Sequence, residues 1–461
     1  MRAEGLGERW LKIGRCMTDT DGDSPKFPRE PITAIAPALQ RFLHTESSGG
    51  LALLLAAVIA LALANSPFGP AFDSVWQTTI GLHLADITWD HTLRHWINDG
   101  LMTIFFFIVG LEIKREITGG QLRELRAAAF PFAAAIGGMS VPAALYLGLV
   151  WFVLPARPEA SAGWGVVMAT DIAFAVGCMA LLGRRVPGSL RVFILALAIV
   201  DDIGAILVIA VGYSHGFSII PFCGAVGGIL VALLMQWLGI RAMAAYWCIG
   251  VLTWLALHES GVHPTLTGVA MGLLTPARPW IEHGRFDRFL EWARGTTPEE
   301  IEQDLEHKPK PVRQKLARAA VESLSPQQRL EDALHPWSAF FVLPLFALAN
   351  AGVGISLDAV FEPITLAILV GLSVGNPIGI FAFSWLAVRF GIARKPDDVT
   401  WSMLLGAGAL GGIGFTVSLF IANLAFDEAA LQSAKVGILS ASLISGLVGM
   451  GVLWMLTRSR S

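Results

Sequence analysis

Charge is what this sequence has least of. Only 15% of its 461 residues are Asp, Glu, Lys or Arg, against about 25% in a soluble globular chain. That deficit excludes an ordinary soluble enzyme and a disordered protein. A net charge of −3 is too small to suggest nucleic acid as a partner. The four cysteines, Cys16, Cys178, Cys223 and Cys248, are scattered, three of them in apolar runs. They form neither a disulfide framework nor a metal cluster. A signal peptide is not expected either: residues 1–40 mix charge with proline and glycine, and no apolar core begins before about Gly49. Residues 1–48 read as a cytoplasmic tail.

The alternation of apolar and polar residues that marks an outer-membrane barrel is missing as well. In its place stand long apolar runs, with 54% hydrophobic residues and 48 glycines, which permit close helix packing in lipid. Runs of roughly 18 residues or more read as membrane-spanning helices. Twelve apolar segments can be counted, at about 49–65, 96–113, 130–154, 164–182, 190–214, 219–239, 244–257, 264–275, 335–352, 364–388, 401–424 and 431–456. The expected fold is an all-α membrane protein of about twelve transmembrane helices within 49–456, with a short C-terminal tail at 457–461. The seventh and eighth segments are short, as in tilted or partly buried helices.

Basic residues fall on every second connection. Lys114, Arg115, Arg123 and Arg126 crowd one, Arg184, Arg185 and Arg191 another, Arg389, Arg394 and Lys395 a third. The intervening connections hold Arg94 or Arg157 alone, or none. This is the positive-inside pattern, and it places both termini in the cytoplasm. No Lys or Arg is expected deep in the spans, which argues against an anionic solute. In the connection 70–92, Ile80, Leu82 and Leu84 alternate around Gly81 and His83, which predicts a short external hairpin. The charged insertion 279–332 reads as a solvated cytoplasmic linker or a regulatory segment. Thr297-Pro298-Glu299-Glu300 and Ser325-Pro326 look like helix starts.

Ionisable residues inside spans are functional candidates because lipid makes them costly. Asp201 and Asp202 lie about eleven residues into the fifth span, roughly 17 Å from its cytoplasmic end at 1.5 Å per residue. Neighbouring residues on a helix point about 100° apart, so one carboxylate can face a cavity while the other meets a helix. A helix cap or a structural ion pair is the competing reading. Asp171, after Thr170 in the fourth span, suits either an ion site or local capping where a helix is interrupted. Burial and a neighbouring carboxylate both make an aspartate hold its proton more firmly. A site with two or three can then trade a proton for a hard cation. The eleventh span carries Gly406, Gly408, Gly411, Gly412 and Gly414, then Thr416. Such density suggests a second broken helix or, alternatively, a small-residue packing face. Interrupted spans at corresponding places in two halves point to a transporter site at a repeat interface.

These stretches resemble the NhaA family of sodium/proton antiporters from about Gly49 to Leu456, outside the insertion. The resemblance is carried by Trp96-Ile-Asn-Asp99-Gly, Val109-Gly-Leu-Glu112-Ile-Lys-Arg-Glu116, Ala169-Thr170-Asp171-Ile-Ala-Phe and Ala198-Ile-Val-Asp201-Asp202-Ile-Gly-Ala. Ser260-Gly-Val-His263, His335-Pro-Trp337, Leu348-Ala-Asn-Ala-Gly352 and Gly412-Ile-Gly-Phe-Thr416 add to it. It implies inverted repeats with two broken helices crossing at mid-membrane, and Asp202 as principal ion and proton ligand beside Asp201. Asp171 would offset the helix dipoles at the crossing, Thr170 would join the ion site, and Gly412, Gly414 and Thr416 would support the break. Glu112 and Glu116 would line a pH-sensing cytoplasmic funnel, although a salt-bridged helix end explains them as well. Asp99 would sit within the second span, and His263 reads more simply as a packing or capping residue. The hairpin at 70–92 would join a homodimer. No cofactor is implied, since Na⁺ or Li⁺ and H⁺ are cargo and the lipid bilayer is the constant partner. One departure stands out: the tenth span reads Gly375-Asn376-Pro377 where the family has a Lys. The expected function is Na⁺/H⁺ exchange across a bacterial inner membrane. The rivals are another sodium-coupled solute carrier and an intramembrane aspartyl protease, though no Gly-x-Gly-Asp sequence supports the latter.

Overall fold

The computed structural model describes residues 46–84, 87–120, 125–153, 158–214, 216–240, 242–279, 321–354 and 357–458. The tail and most of the 279–332 insertion, including Thr297-Pro298, lie outside the described residues. Every one of the twelve apolar segments carries helix. In chain order the elements are α1 (Glu46–Ala64), α2 (Gly69–Gln77), β1 (Thr79–Leu84), β2 (Ile87–Thr92), α3 (Leu93–Thr118) and α4 (Leu125–Val153). A 3-10 segment (Pro158–Met168) and α5 (Ile172–Leu181) follow, then α6 (Gly188–Gly212), α7 (Ile219–Trp237), α8 (Met243–Ser260) and α9 (Leu266–Leu274). The second half holds α10 (Pro326–Asn350), α11 (Pro363–Arg389), α12 (Trp401–Gly411), α13 (Phe415–Ala425) and α14 (Glu428–Thr457).

Among the described residues, seven helices are long and apolar enough to cross a membrane: α3, α4, α6, α7, α10, α11 and α14. The number is ten if three bent pairs each count as one span. Those pairs are α1 with α2, the 3-10 segment with α5, and α12 with α13, bent by 115°, 42° and 46°. The two segments expected to be short, α8 and α9, fall outside that count, and α9 has only 9 residues.

Local chemistry sets the boundaries. Thr400 and Asp427 each cap a helix by accepting from a backbone N–H three residues on, and Ser325 does the same with Gln328 ahead of Pro326. The Ser325-Pro326 start therefore stands as read. It lies nine residues before the ninth apolar segment because the first turns of α10 are polar. The hairpin at 79–92 pairs Thr79 with Thr92 through Leu84 with Ile87, antiparallel. Residues 70–77, expected within that hairpin, are instead helical in α2, where Pro70 suits the first turn. In α11 the Gly371–Gly375 turn is widened to π geometry just ahead of Pro377, whose ring and missing N–H disturb the preceding ladder. Helices α4 and α11 meet backbone to backbone. A Cβ on Gly137 would come within 2.1 Å of the Gly379 carbonyl, and the reverse holds equally. This contact carries Asn376 into the core, where it is fully buried.

Candidate ion-binding site

Two of the three bent pairs cross at their breaks. Residues 169–171 run between the 3-10 segment and α5, and 412–414 run between α12 and α13. The Asp171 N–H donates to the Ile413 carbonyl at 2.6 Å, stitching the interruptions together. Two helix N-termini, those of α5 and α13, therefore meet at one place. Each helix end leaves unsatisfied N–H groups and about half a positive charge. Asp171 answers both: Oδ1 accepts from Phe174 N at 3.0 Å, and Oδ2 accepts from Thr416 N at 3.0 Å and Thr416 Oγ1 at 2.5 Å. One carboxylate charge offsets roughly two half-charges. The capping reading of Asp171 and its place in the crossing are thus one arrangement.

The opposite ends carry carbonyls left without an intrahelical partner, and neutral donors meet them. Thr170 Oγ1 lies 2.8 Å from the Gly411 carbonyl at the end of α12 and 2.9 Å from Asp201 Oδ2. Asn376 Nδ2 donates to the Val167 carbonyl at 3.3 Å, near the end of the 3-10 segment. The two glycines are there for space. A Cβ at Gly412 would meet the Leu372 carbonyl at 2.5 Å, and one at Gly414 would meet Ser418 Oγ at 2.1 Å. Breaking the helix and packing closely are both true of this stretch.

Asp201 and Asp202 sit in the middle of α6, 1% and 4% exposed. Asp201 Oδ1 is buried and makes no hydrogen bond. Asp202 lies within electrostatic reach of Glu112, Asp201 and Asp171. A single hydroxyl proton on Thr170 can serve only one acceptor at a time. With Asp201 ionised it is drawn to the carboxylate; with Asp201 protonated, the acid can donate to Thr170, which then donates to Gly411. Oxygen donors of this kind, carboxylate, hydroxyl and carbonyl, are what a hard cation takes as ligands.

The remaining candidates sit around this centre. Glu116 lies 3.7 Å from Arg115 Nε, and Arg115 also pairs with Glu331. Gln327 Nε2 donates to the Leu111 carbonyl at 2.8 Å. Two residues from the stretch read as an insertion thus pack against the Glu112–Glu116 end of α3, which hydropathy could not reveal. His263 Nδ1 hydrogen-bonds Thr265 Oγ1 at 2.7 Å, and its ring meets Phe420 edge-on, in keeping with a packing and capping role. Asp99 lies in a π-turn of α3, 3.5 Å from His95 Nε2. Also missed by sequence reading is a buried amide chain: Asn423 Nδ2 donates to Asn350 Oδ1 at 3.2 Å, and Asn350 Nδ2 to Asn98 Oδ1 at 2.8 Å.

One expectation needs correcting. A lysine does lie inside a span: Lys435, in the second turn of α14, is 2% exposed. Its charge acts on Asp73 and Arg94, which form an ion pair at 2.7 Å, rather than on the central aspartates. The tally of basic residues on connections passed over it because it falls within an apolar run.

A family model described as Na⁺/H⁺ antiporter 1 matches residues 40–453. A protein named Na(+)/H(+) antiporter NhaA from Rhodopirellula baltica is 46% identical, over 94% of this chain and 97% of its own length. Its namesake from Rhizobium meliloti is 47% identical, over 94% and 98%. A protein named Na(+)/H(+) antiporter NhaA 2 from Sorangium cellulosum is 48% identical, over 90% and 89%. Matched along most of its length, and by relatives it covers as fully, the chain belongs to the Na⁺/H⁺ antiporter 1 family.

Proposed function

We propose that this protein exchanges Na⁺, or Li⁺, for H⁺ across the bacterial inner membrane, extruding sodium and controlling internal pH. The observation that carries the reading is the Asp201–Thr170–Gly411 chain beside Asp202. It couples one buried carboxylate, Asp201, through Thr170 to the carbonyl end of α12, with buried Asp202 next to it in α6, so that a change of charge there is felt by the backbone. In one half of the cycle the aspartates hold protons. In the other, Na⁺ takes their oxygens, with Asp202 as the principal ligand and Thr170 and Asp201 beside it. Twelve spans arranged as inverted repeats, with both termini cytoplasmic, would let one half rock against the other around this fixed centre. Glu112 and Glu116 would then line a cytoplasmic funnel that sets the response to pH. The 79–92 hairpin would meet a second protomer.

A protease reading is disfavoured by Asp171, whose two oxygens already accept from Phe174 and Thr416 and are engaged in capping. A carrier for an anionic solute would need a cation at the centre, and Lys435 acts elsewhere. Everted membrane vesicles test the proposal. Added Na⁺ should drive proton movement across a range of pH, and Asp202→Asn should abolish it while the protein still inserts. Normal exchange by correctly inserted Asp202→Asn excludes the mechanism.

A further inference from the structure

Away from the aspartates, three histidines from three elements converge at the hairpin end of the bundle. His91 is on β2, His95 in the first turn of α3, and His258 in the last turn of α8. One ring nitrogen from each lies within 4.8 Å of the others, and all three side chains are half-buried. The His91 and His95 rings stack at 4.1 Å, and His258 lies 5.6 Å from His91 and 6.2 Å from His95, between centroids.

We propose that His91, His95 and His258 bind a divalent transition-metal ion of the Zn²⁺ class, clasping the hairpin to α3 and α8. A second, independent observation supports a ligand there. His95 Nε2 is buried and makes no hydrogen bond; Asp99 Oδ2 is 3.5 Å away. Buried polar atoms nearly all find partners, and a metal held by the three rings would engage the His95 imidazole that now lacks one. Oxygen donors stand close by to fill a fourth position or to orient the rings: Asp99 beside His95, and Glu259 Oε1 at 3.6 Å from His258 Nδ1. The His258 ring is held by stacking on Trp254, whose Nε1 donates to Thr103 Oγ1 of α3 at 2.9 Å.

The donor set decides the class of ion. Imidazole suits Zn²⁺, Cu²⁺, Ni²⁺ and Co²⁺, whereas Na⁺ and Mg²⁺ want oxygen, so this site is chemically separate from the transport centre. Zn–N bonds of about 2.0–2.1 Å place tetrahedral ligand atoms about 3.4 Å apart. To close the 4.8 Å spread to that value the His91 and His95 rings, now stacked at 4.1 Å, have to turn on their side-chain torsions. Partial exposure leaves an entry path. Asp99 follows His95 by one helical turn, so metal capture also fixes the start of the span that carries Asp99.

The test is titration of tag-free, full-length protein in detergent with Co²⁺ and then Zn²⁺. One Co²⁺ per chain should give the visible absorption of a tetrahedral site, and Zn²⁺ should displace it. His91→Ala and His258→Ala should each weaken Zn²⁺ by at least about tenfold, since removing a ligand costs no less than removing its supporting shell. His258→Cys restores a ligand and should recover binding, which separates ligand loss from misfolding. His335→Ala and Asp202→Asn should leave the affinity unchanged. The proposal fails if no stoichiometric site is found, if the histidine variants bind as wild type does, or if Asp202→Asn removes the metal. The stacked rings would then be aromatic packing only.

Discussion

Replacing Asp171 by Asn keeps the shape of the side chain but removes one of its two acceptor oxygens. Either Phe174 N–H or the Thr416 pair would then face an NH₂ group. A buried donor left unsatisfied costs about 1–3 kcal/mol in soluble proteins, and membrane hydrogen bonds average nearer ~0.6. Asp171→Asn should therefore lower thermal stability in detergent and slow exchange without removing an ion ligand; an unshifted melting curve would count against the double-capping role. Asn376 is a different case. Its amide meets a helix-end carbonyl with a dipole alone. A lysine there brings a full positive charge, and a fixed cation within reach of the aspartates favours their ionised form. Asn376→Lys should move the pH profile of exchange towards acid. A profile that stays put means the side chain at 376 does not influence the pair.

At the scale of elements, the two breaks depend on backbone closeness. Gly412→Ala puts a methyl against the Leu372 carbonyl at 2.5 Å, and backbone cannot swing aside as a side chain can. Overpacking of this kind costs typically about 1–3 kcal/mol, so folded yield and melting temperature should drop together. Gly451→Ala in α14 meets nothing within 4 Å and should hold or slightly raise the melting temperature, since Ala favours a helix over Gly. Equal effects of the two substitutions in a thermal-shift measurement would mean that the crossing tolerates slack. The glycine run foretold an interruption in the eleventh span, but its partner was visible only in part. Thr170-Asp171 sits in an otherwise apolar stretch without a helix breaker, and the break there is set by α13 arriving across it.

For the whole molecule, the proposed orientation and stoichiometry can each be measured. With both termini inside, a Cys placed at Pro309, in the insertion, should react with an impermeant thiol reagent only from the cytoplasmic side. Labelling from outside would invert the assignment. Two protonatable carboxylates remain at the centre although the tenth span lacks a lysine. If one Na⁺ displaces both protons, exchange is electrogenic. Reconstituted protein with the membrane potential clamped by K⁺ and valinomycin should then respond to that potential; indifference to it would leave one proton per Na⁺.

The sequence alone determined the membrane class, the twelve apolar segments and the residues worth testing, because burial in lipid writes itself as long apolar runs in which any aspartate is conspicuous. It also carried helix starts such as Ser325-Pro326, which rest on local hydrogen bonds. It could not place partners. That Thr170 reaches both Asp201 and Gly411, that Asp171 caps two helices, and that Glu331 finds Arg115 are all contacts between residues far apart in the chain. The same holds for His91, His95 and His258, which look unrelated in the sequence and come together only when β2, α3 and α8 pack. Local patterning specifies which elements form and which faces avoid lipid. The meeting of particular side chains is set by how those elements cross, which here turns on glycine-to-backbone approaches that no periodicity encodes.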